Sequence, residues 1–129
     1  MALLDAFKLT GKVAIVTGAS RGLGAGIAEA LAECGADVVI AARSEATLNE
    51  TAARIRSFGR RAVTIPCDLK QLEPLPGIVA AAMKEFGRID VVVNNAGGTA
   101  PAPFLAETPE SLEESFRFNV TNAFELTRL

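Results

Sequence analysis

A chain of 129 residues, half of them hydrophobic, is long enough for one domain with a buried core, which excludes a disordered or fibrous protein. Thirteen basic and fifteen acidic side chains give a formal charge of −2, too balanced for a protein that neutralises phosphate backbones, so no nucleic-acid partner is expected. His, Tyr and Trp are all absent, which removes imidazole and phenol from any chemistry the chain performs unaided.

Met1 to Thr10 carries Asp5 and Lys8 among scattered apolar residues, without the basic start, apolar centre and cleavage site of a secretion signal. The apolar runs that follow are far shorter than the roughly 20 residues of a membrane helix, so no membrane partner and a cytoplasmic location are expected. Cys34 and Cys67 have neither metal-ligand nor redox-pair spacing. They are read as reduced, buried packing residues, and no metal site is expected.

The runs Val13 to Thr17, Val38 to Ala42, Ala62 to Ile65 and Val91 to Asn94 are short, β-branched and almost uncharged, as in strands buried on both faces. Between the first two, Leu23, Ile27, Leu31 and Cys34 recur at helical spacing, with Gly35 as the stop. Ser44 is placed to cap a second helix with Leu48, Ala52 and Ile55 as its apolar stripe, Arg54 and Arg56 toward water, and Gly59 at its end. Pro74 and Pro76 forbid a helix interior, so the third helix is predicted to start near Gly77, turn Ile78, Ala82, Met83 and Phe86 toward the sheet, and close at Gly87. A loop from Gly97 to Glu107 precedes Thr108 and Pro109, a cap followed by proline at the first helical position. Leu112, Phe116, Val120, Ala123 and Thr127 then continue one face. The alternation predicts an α/β protein: a Rossmann-type doubly wound parallel sheet, incomplete, with the first four strands and their helices as one segment over residues 1–129. Because the last helix stops at Leu129 without a cap or polar tail, a truncated chain is expected.

Thr17-Gly18-Ala19-Ser20-Arg21-Gly22-Leu23-Gly24 joins the first strand to the first helix, the context in which a glycine motif carries information. Gly18 can turn with positive φ, Gly22 leaves room for a pyrophosphate, and Gly24 permits close packing of the helix. Free N–H groups at the helix start then face the anion. The competing reading is a strand–turn–helix junction with surplus glycine.

At the end of the second strand, where a carboxylate would hold the adenosine ribose of NAD, the sequence reads Ala41-Ala42-Arg43-Ser44. No negative charge repels a phosphate there, and Arg43 can make charge-assisted bonds to one, which favours NADP over NAD. Arg21 is a candidate second cation. Each arginine could instead be a solvated surface charge.

These residues resemble the short-chain dehydrogenases/reductases from about Lys12 through Leu129. Thr17 to Gly24 matches the family pattern TGxxxGxG, and Asn94-Asn95-Ala96-Gly97 matches NNAG. Cys67-Asp68-Leu69 resembles the adenine-contacting segment, and Phe118-Asn119-Val120 the helix segment with a structural catalytic asparagine. The resemblance implies that Asp68 holds the adenine amino group with Leu69 beside the ring, and that Asn95, Ala96 and Gly97 stabilise the central strand and border the nicotinamide ribose. It implies that Asn119 positions a water-linked proton relay. The expected cofactor-binding set is therefore Gly18, Ser20, Arg21, Gly22, Leu23, Gly24, Arg43, Asp68, Leu69, Asn95, Ala96 and Gly97, with Asn119 as the catalytic residue. Individually, Asp68 could cap a turn, the asparagines could satisfy loop backbone, and Asn119 could be a polar helix residue.

The resemblance further implies an NADP-dependent enzyme exchanging a hydride with a small carbonyl or alcohol substrate, and a homo-oligomer in its intact form. The chain departs from the family in lacking the later serine and the YxxxK pair, so alone it is expected to be inactive. A non-catalytic dinucleotide-binding sensor or regulatory module is the alternative. An epimerase-like relative holding NAD fits the glycine spacing and Arg43 less well.

Overall fold

The computed structural model describes residues 2–129. Four strands, β1 (Val13–Thr17), β2 (Asp37–Ala42), β3 (Ala62–Pro66) and β4 (Val91–Val93), form one sheet in the order β3-β2-β1-β4. Every pairing is parallel, with Ile15 opposite Val39 and Val92, and Ile40 opposite Thr64. Parallel neighbours require crossovers, and the helices α1 (Gly22–Glu33), α2 (Glu45–Ser57) and α3 (Leu75–Phe86) supply them. This is the Rossmann-like arrangement: the chain leaves β1 toward β2 and β3, then returns to place β4 on the other side of β1.

The two-residue period of the strands divides the core. Val16, Val38 and Ile40 face α1 and α2, packing on Ala28, Leu48, Ala52 and Ile55. Ile15, Val39 and Ala41 face the opposite way, onto Leu75, Ile78, Ala82 and Leu126. β1 and β2 are buried throughout, whereas the outer strands β3 and β4 are only half-buried because each lacks a neighbour on one side.

Several expectations need correction. In α1 the fully buried residues are Gly24, Ala25, Ala28 and Ala32, and the expected Ile27 and Leu31 pack half-buried against the same core, while Leu23 is 74% exposed and Cys34 lies at the exposed C-terminal cap. Small residues at the centre of this face let the helix lie close to the sheet, with Ile27 and Leu31 packing at its side. Cys67 is half-buried against the second core cluster. α3 begins at Leu75 rather than Gly77, since Pro76 fits the first turn, where its missing N–H has no helical partner to lose. Met83 is half-exposed, not turned to the sheet.

The C-terminal helix is not continuous. α4 (Pro109–Phe116) passes through a wide π turn at Arg117–Thr121 into α5 (Asn122–Arg128). The expected face of Leu112, Phe116 and Val120 is exposed, and Asn122 and Leu126 are the buried residues. The cap at Thr108 has Pro109 behind it, and Thr108 Oγ1 accepts a hydrogen bond from Ser111 N at 3.1 Å. Ser44 Oγ likewise accepts from Thr47 N at 3.4 Å. Among the described residues no helix is long and apolar enough to cross a membrane.

Candidate functional site

At the C-terminal ends of β1, β2, β3 and β4 lies a cavity of about 840 Å³, lined by Gly18, Ser20, Arg21, Gly22, Arg43, Asp68, Leu69, Asn95, Ala96 and Gly97 among others. It sits where the strand order reverses, the place at which open α/β sheets leave a crevice between diverging loops. Residues from four separate turns thus meet because four parallel strands end together.

The glycine turn is held by Thr17, Asn95 and Ala96. Thr17 Oγ1 accepts from Asn95 N at 3.1 Å and from Ala96 N at 3.0 Å, and donates to Val93 O at 3.4 Å. Asn95 Nδ2 in turn donates to Thr17 O and Gly18 O at 3.1 and 3.2 Å. Gly18 has φ +66°, the left-handed region that favours glycine. A Cβ on Gly24 would lie 2.2 Å from Gly18 O and 2.5 Å from Asn95 Nδ2, so this glycine is buried beneath the turn rather than on the cavity wall. Gly22, at φ +58°, has open space where its Cβ would be.

Cations dominate the cavity's charge. Arg21, Arg43 and Lys70 line it against the single carboxylate of Asp68. Asp68 Oδ1 accepts from Lys70 N at 3.0 Å, closing a turn after β3. Burial, and after it the Asp68 charge, raise the pKa of the neighbouring Cys67 thiol, which disfavours its thiolate form. Leu69 is buried beside this turn.

Asn119 stands just outside this lining, in the π turn. Its Oδ1 accepts from Gly98 N at 2.8 Å, while its Nδ2 donates to Gly98 O at 3.0 Å and to Ser115 O at 2.9 Å. A Cβ on Gly97 would come within 2.7 Å of Asn119 Oδ1. Asn119 therefore clamps the loop after β4 against the helix. Leu23 is 74% exposed and lies outside the lining.

Sequence reasoning missed Ala42, Ser44, Thr47, Lys70 and Phe118 as lining residues. The sequence places Ala42 and Ser44 at the end of the second strand, where the ribose is read, without marking them as lining residues, and Thr47 follows in the first turn of α2. Lys70 follows Asp68 by two residues, a proximity that could have signalled it. A second cavity of about 840 Å³ adjoins the first at Lys70 and Phe118, with Ala100, Phe104, Leu105 and Leu112 giving it an apolar lining.

The strand order and the glycine-turn crevice define a Rossmann-like α/β protein of the nucleotide-binding type. The sequence matches the family described as short chain dehydrogenase over residues 12–129, and the chain belongs to that family, whose members are oxidoreductases that bind NAD(P). It is 46% identical over 125 residues to an "Uncharacterized oxidoreductase MT0954" of Mycobacterium tuberculosis (strain CDC 1551 / Oshkosh), covering 97% of this chain and 48% of that protein. A solved short-chain type dehydrogenase/reductase from Mycobacterium marinum superposes with a TM-score of 0.91 at 38% identity, over 99% of this chain and 52% of that one. The L-sorbose reductase from Gluconobacter frateurii, solved with NADPH and L-sorbose, gives a TM-score of 0.89 at 32% identity, over 95% of this chain and 47% of that one. The chain spans about half the length of the curated relatives it matches.

Proposed function

We propose that this chain forms the NADP(H)-binding part of a short-chain oxidoreductase that interconverts a carbonyl and an alcohol. The observation that carries the reading is the cavity's charge and shape. Gly22 opens toward it at the mouth of α1, and Arg21, Arg43 and Lys70 surround it with one carboxylate among them. A pyrophosphate fits beside the free N–H groups at the start of α1. A 2′-phosphate fits beside Arg43, where β2 ends without an acidic residue.

In this reading Gly18, Ser20, Arg21 and Gly22 receive the diphosphate, with Leu23 and Gly24 continuing the turn into α1. Arg43 selects the phosphorylated ribose. Asp68 and Leu69 flank the adenine, and Asn95, Ala96 and Gly97 border the nicotinamide ribose. When bound, the cofactor supplies a hydride at nicotinamide C4. Asn119 holds Gly98 and the adjoining strand end in place, and the π turn around it widens the backbone so that a carbonyl can hold an ordered water. With no His or Tyr among them, these residues lack the imidazole and phenol groups that most often exchange a proton with substrate oxygen. The relatives are named as oxidoreductases and reductases, which supports the enzyme reading over a non-catalytic sensor.

Titration calorimetry of the purified chain with NADP+ and NAD+ tests this reading. Tighter binding of NADP+ is expected. Equal affinities would remove the assignment of Arg43, and absence of both interactions would remove the nucleotide reading.

A further inference from the structure

One buried polar contact links the cavity wall to the C-terminal helix. Asn122, the first residue of α5, is 2% exposed, and its Nδ2 donates to Leu69 O at 2.7 Å across 53 residues of sequence. Leu69 is itself buried, flanked by Asp68 and Lys70, and all three line the cavity. The other polar tie between this turn and the helix, Lys70 Nζ to Glu114 Oε1 at 3.7 Å, lies among exposed side chains, where water screens it.

The π turn at Arg117–Thr121 makes this possible. An extra residue in the turn shifts the helical register, so that Asn119 reaches Gly98 and Asn122, three residues on, reaches Leu69. The same helix thereby grips the loop after β4 and the turn after β3.

We propose that Asn122 is a positioning residue that fixes the adenine-side wall of the cavity, holding the turn Asp68-Leu69-Lys70 against the helix that carries Asn119. The proposal rests on the nucleotide reading of that cavity. Leucine matches asparagine in size but has no donor, and leaves the Leu69 carbonyl buried without a partner. Aspartate keeps the shape and sets an acceptor against an acceptor. Either change frees the turn while the helix remains.

The test compares the full chain with Asn122→Leu and Asn122→Asp. The probes are 2′,5′-ADP, which carries adenine, and inorganic pyrophosphate, which does not. Hydrogen exchange is followed at Lys70 and Gln71, whose amides are bonded to Asp68 Oδ1 and Asp68 O. Affinity for 2′,5′-ADP is expected to fall about tenfold in both variants, with pyrophosphate binding unchanged. Exchange at Lys70 and Gln71 should quicken by about tenfold, with β1 amides unaffected. Should the leucine variant not fold, Asn122→Ser, too short to reach Leu69, carries the same comparison. Unchanged 2′,5′-ADP affinity and unchanged local exchange would overturn the proposal and leave the nucleotide reading standing. Equal loss of both probes with faster exchange throughout would also overturn it, assigning Asn122 to the fold alone. Failure of the unaltered chain to bind 2′,5′-ADP would overturn both.

Discussion

Thr17 and Asn95 are bound to each other twice: Asn95 N donates to Thr17 Oγ1 at 3.1 Å, and Asn95 Nδ2 donates to Thr17 O at 3.1 Å. Thr17 ends β1 and is fully buried, so these two bonds, both donated by Asn95, tie the glycine turn to the loop after β4. Thr17→Val keeps the branched shape and removes the hydroxyl. It leaves the Asn95 and Ala96 amides without that acceptor. Urea unfolding should show a loss of about 2 kcal/mol, and a loss under about 0.5 kcal/mol would contradict the hub assigned to Thr17.

Gly24 and Gly26 occupy the same helix with opposite surroundings. A methyl group at Gly24 collides with Gly18 O and Asn95 Nδ2, whereas one at Gly26 meets nothing within 4 Å. Gly24→Ala should destabilise by about 2 kcal/mol or more through overpacking. Gly26→Ala should stabilise by about 0.5 to 1 kcal/mol through helix propensity. Thermal melts that rank the two variants the other way would contradict the packing.

Much of this arrangement was legible in the sequence, and the misses share a physical cause. Val13 to Thr17 followed by Gly18, Gly22 and Gly24 could be read because local composition dictates both the buried strand and the turn. The face of α1 could be read only in part: Ile27 and Leu31 do pack on the core, but Ala25, Ala28 and Ala32, which bury most completely, carry little hydrophobic signal beside Leu23. The π turn was invisible because it has no composition of its own and depends on contacts with Gly98 and Leu69. Asn122 left one trace: it stands four residues before the buried Leu126, on the same helical face.

Acid sensitivity should centre on the opposite end of the sheet. Burial alone would raise the pKa of Asp37, but hydrogen bonds from the backbone and side chain of Arg61, with Arg60 beside it, leave it lowered. The Arg88 side chain and the Val13 amide hold Asp90 well below the usual carboxylate range. A carboxyl group with a depressed folded pKa stabilises the fold above its unfolded value, near about 4, and loses that contribution as pH falls through the folded value. Unfolding free energy should therefore be level between about pH 7 and 5 and decline below about 4. Asp37→Asn should lower the plateau by about 2 kcal/mol and flatten the decline. An unaltered acid limb in chemical denaturation would show that Asp37 contributes nothing to it.

Arg43 carries the proposed discrimination between the two dinucleotides. Arg43→Ala should weaken NADP+ by about tenfold to a hundredfold while changing NAD+ little, since charge-assisted bonds to a phosphate are lost only with the former. Calorimetric losses equal for both would assign Arg43 to the general positive field of the cavity.

The most direct test of the account is a crystal structure of the chain soaked with NADP+. The diphosphate is expected at the mouth of α1 beside Gly22, and the 2′-phosphate within hydrogen-bond distance of the Arg43 guanidinium. Nucleotide lodged away from the C-terminal ends of β1 and β2, or a 2′-phosphate free of Arg43, would contradict it.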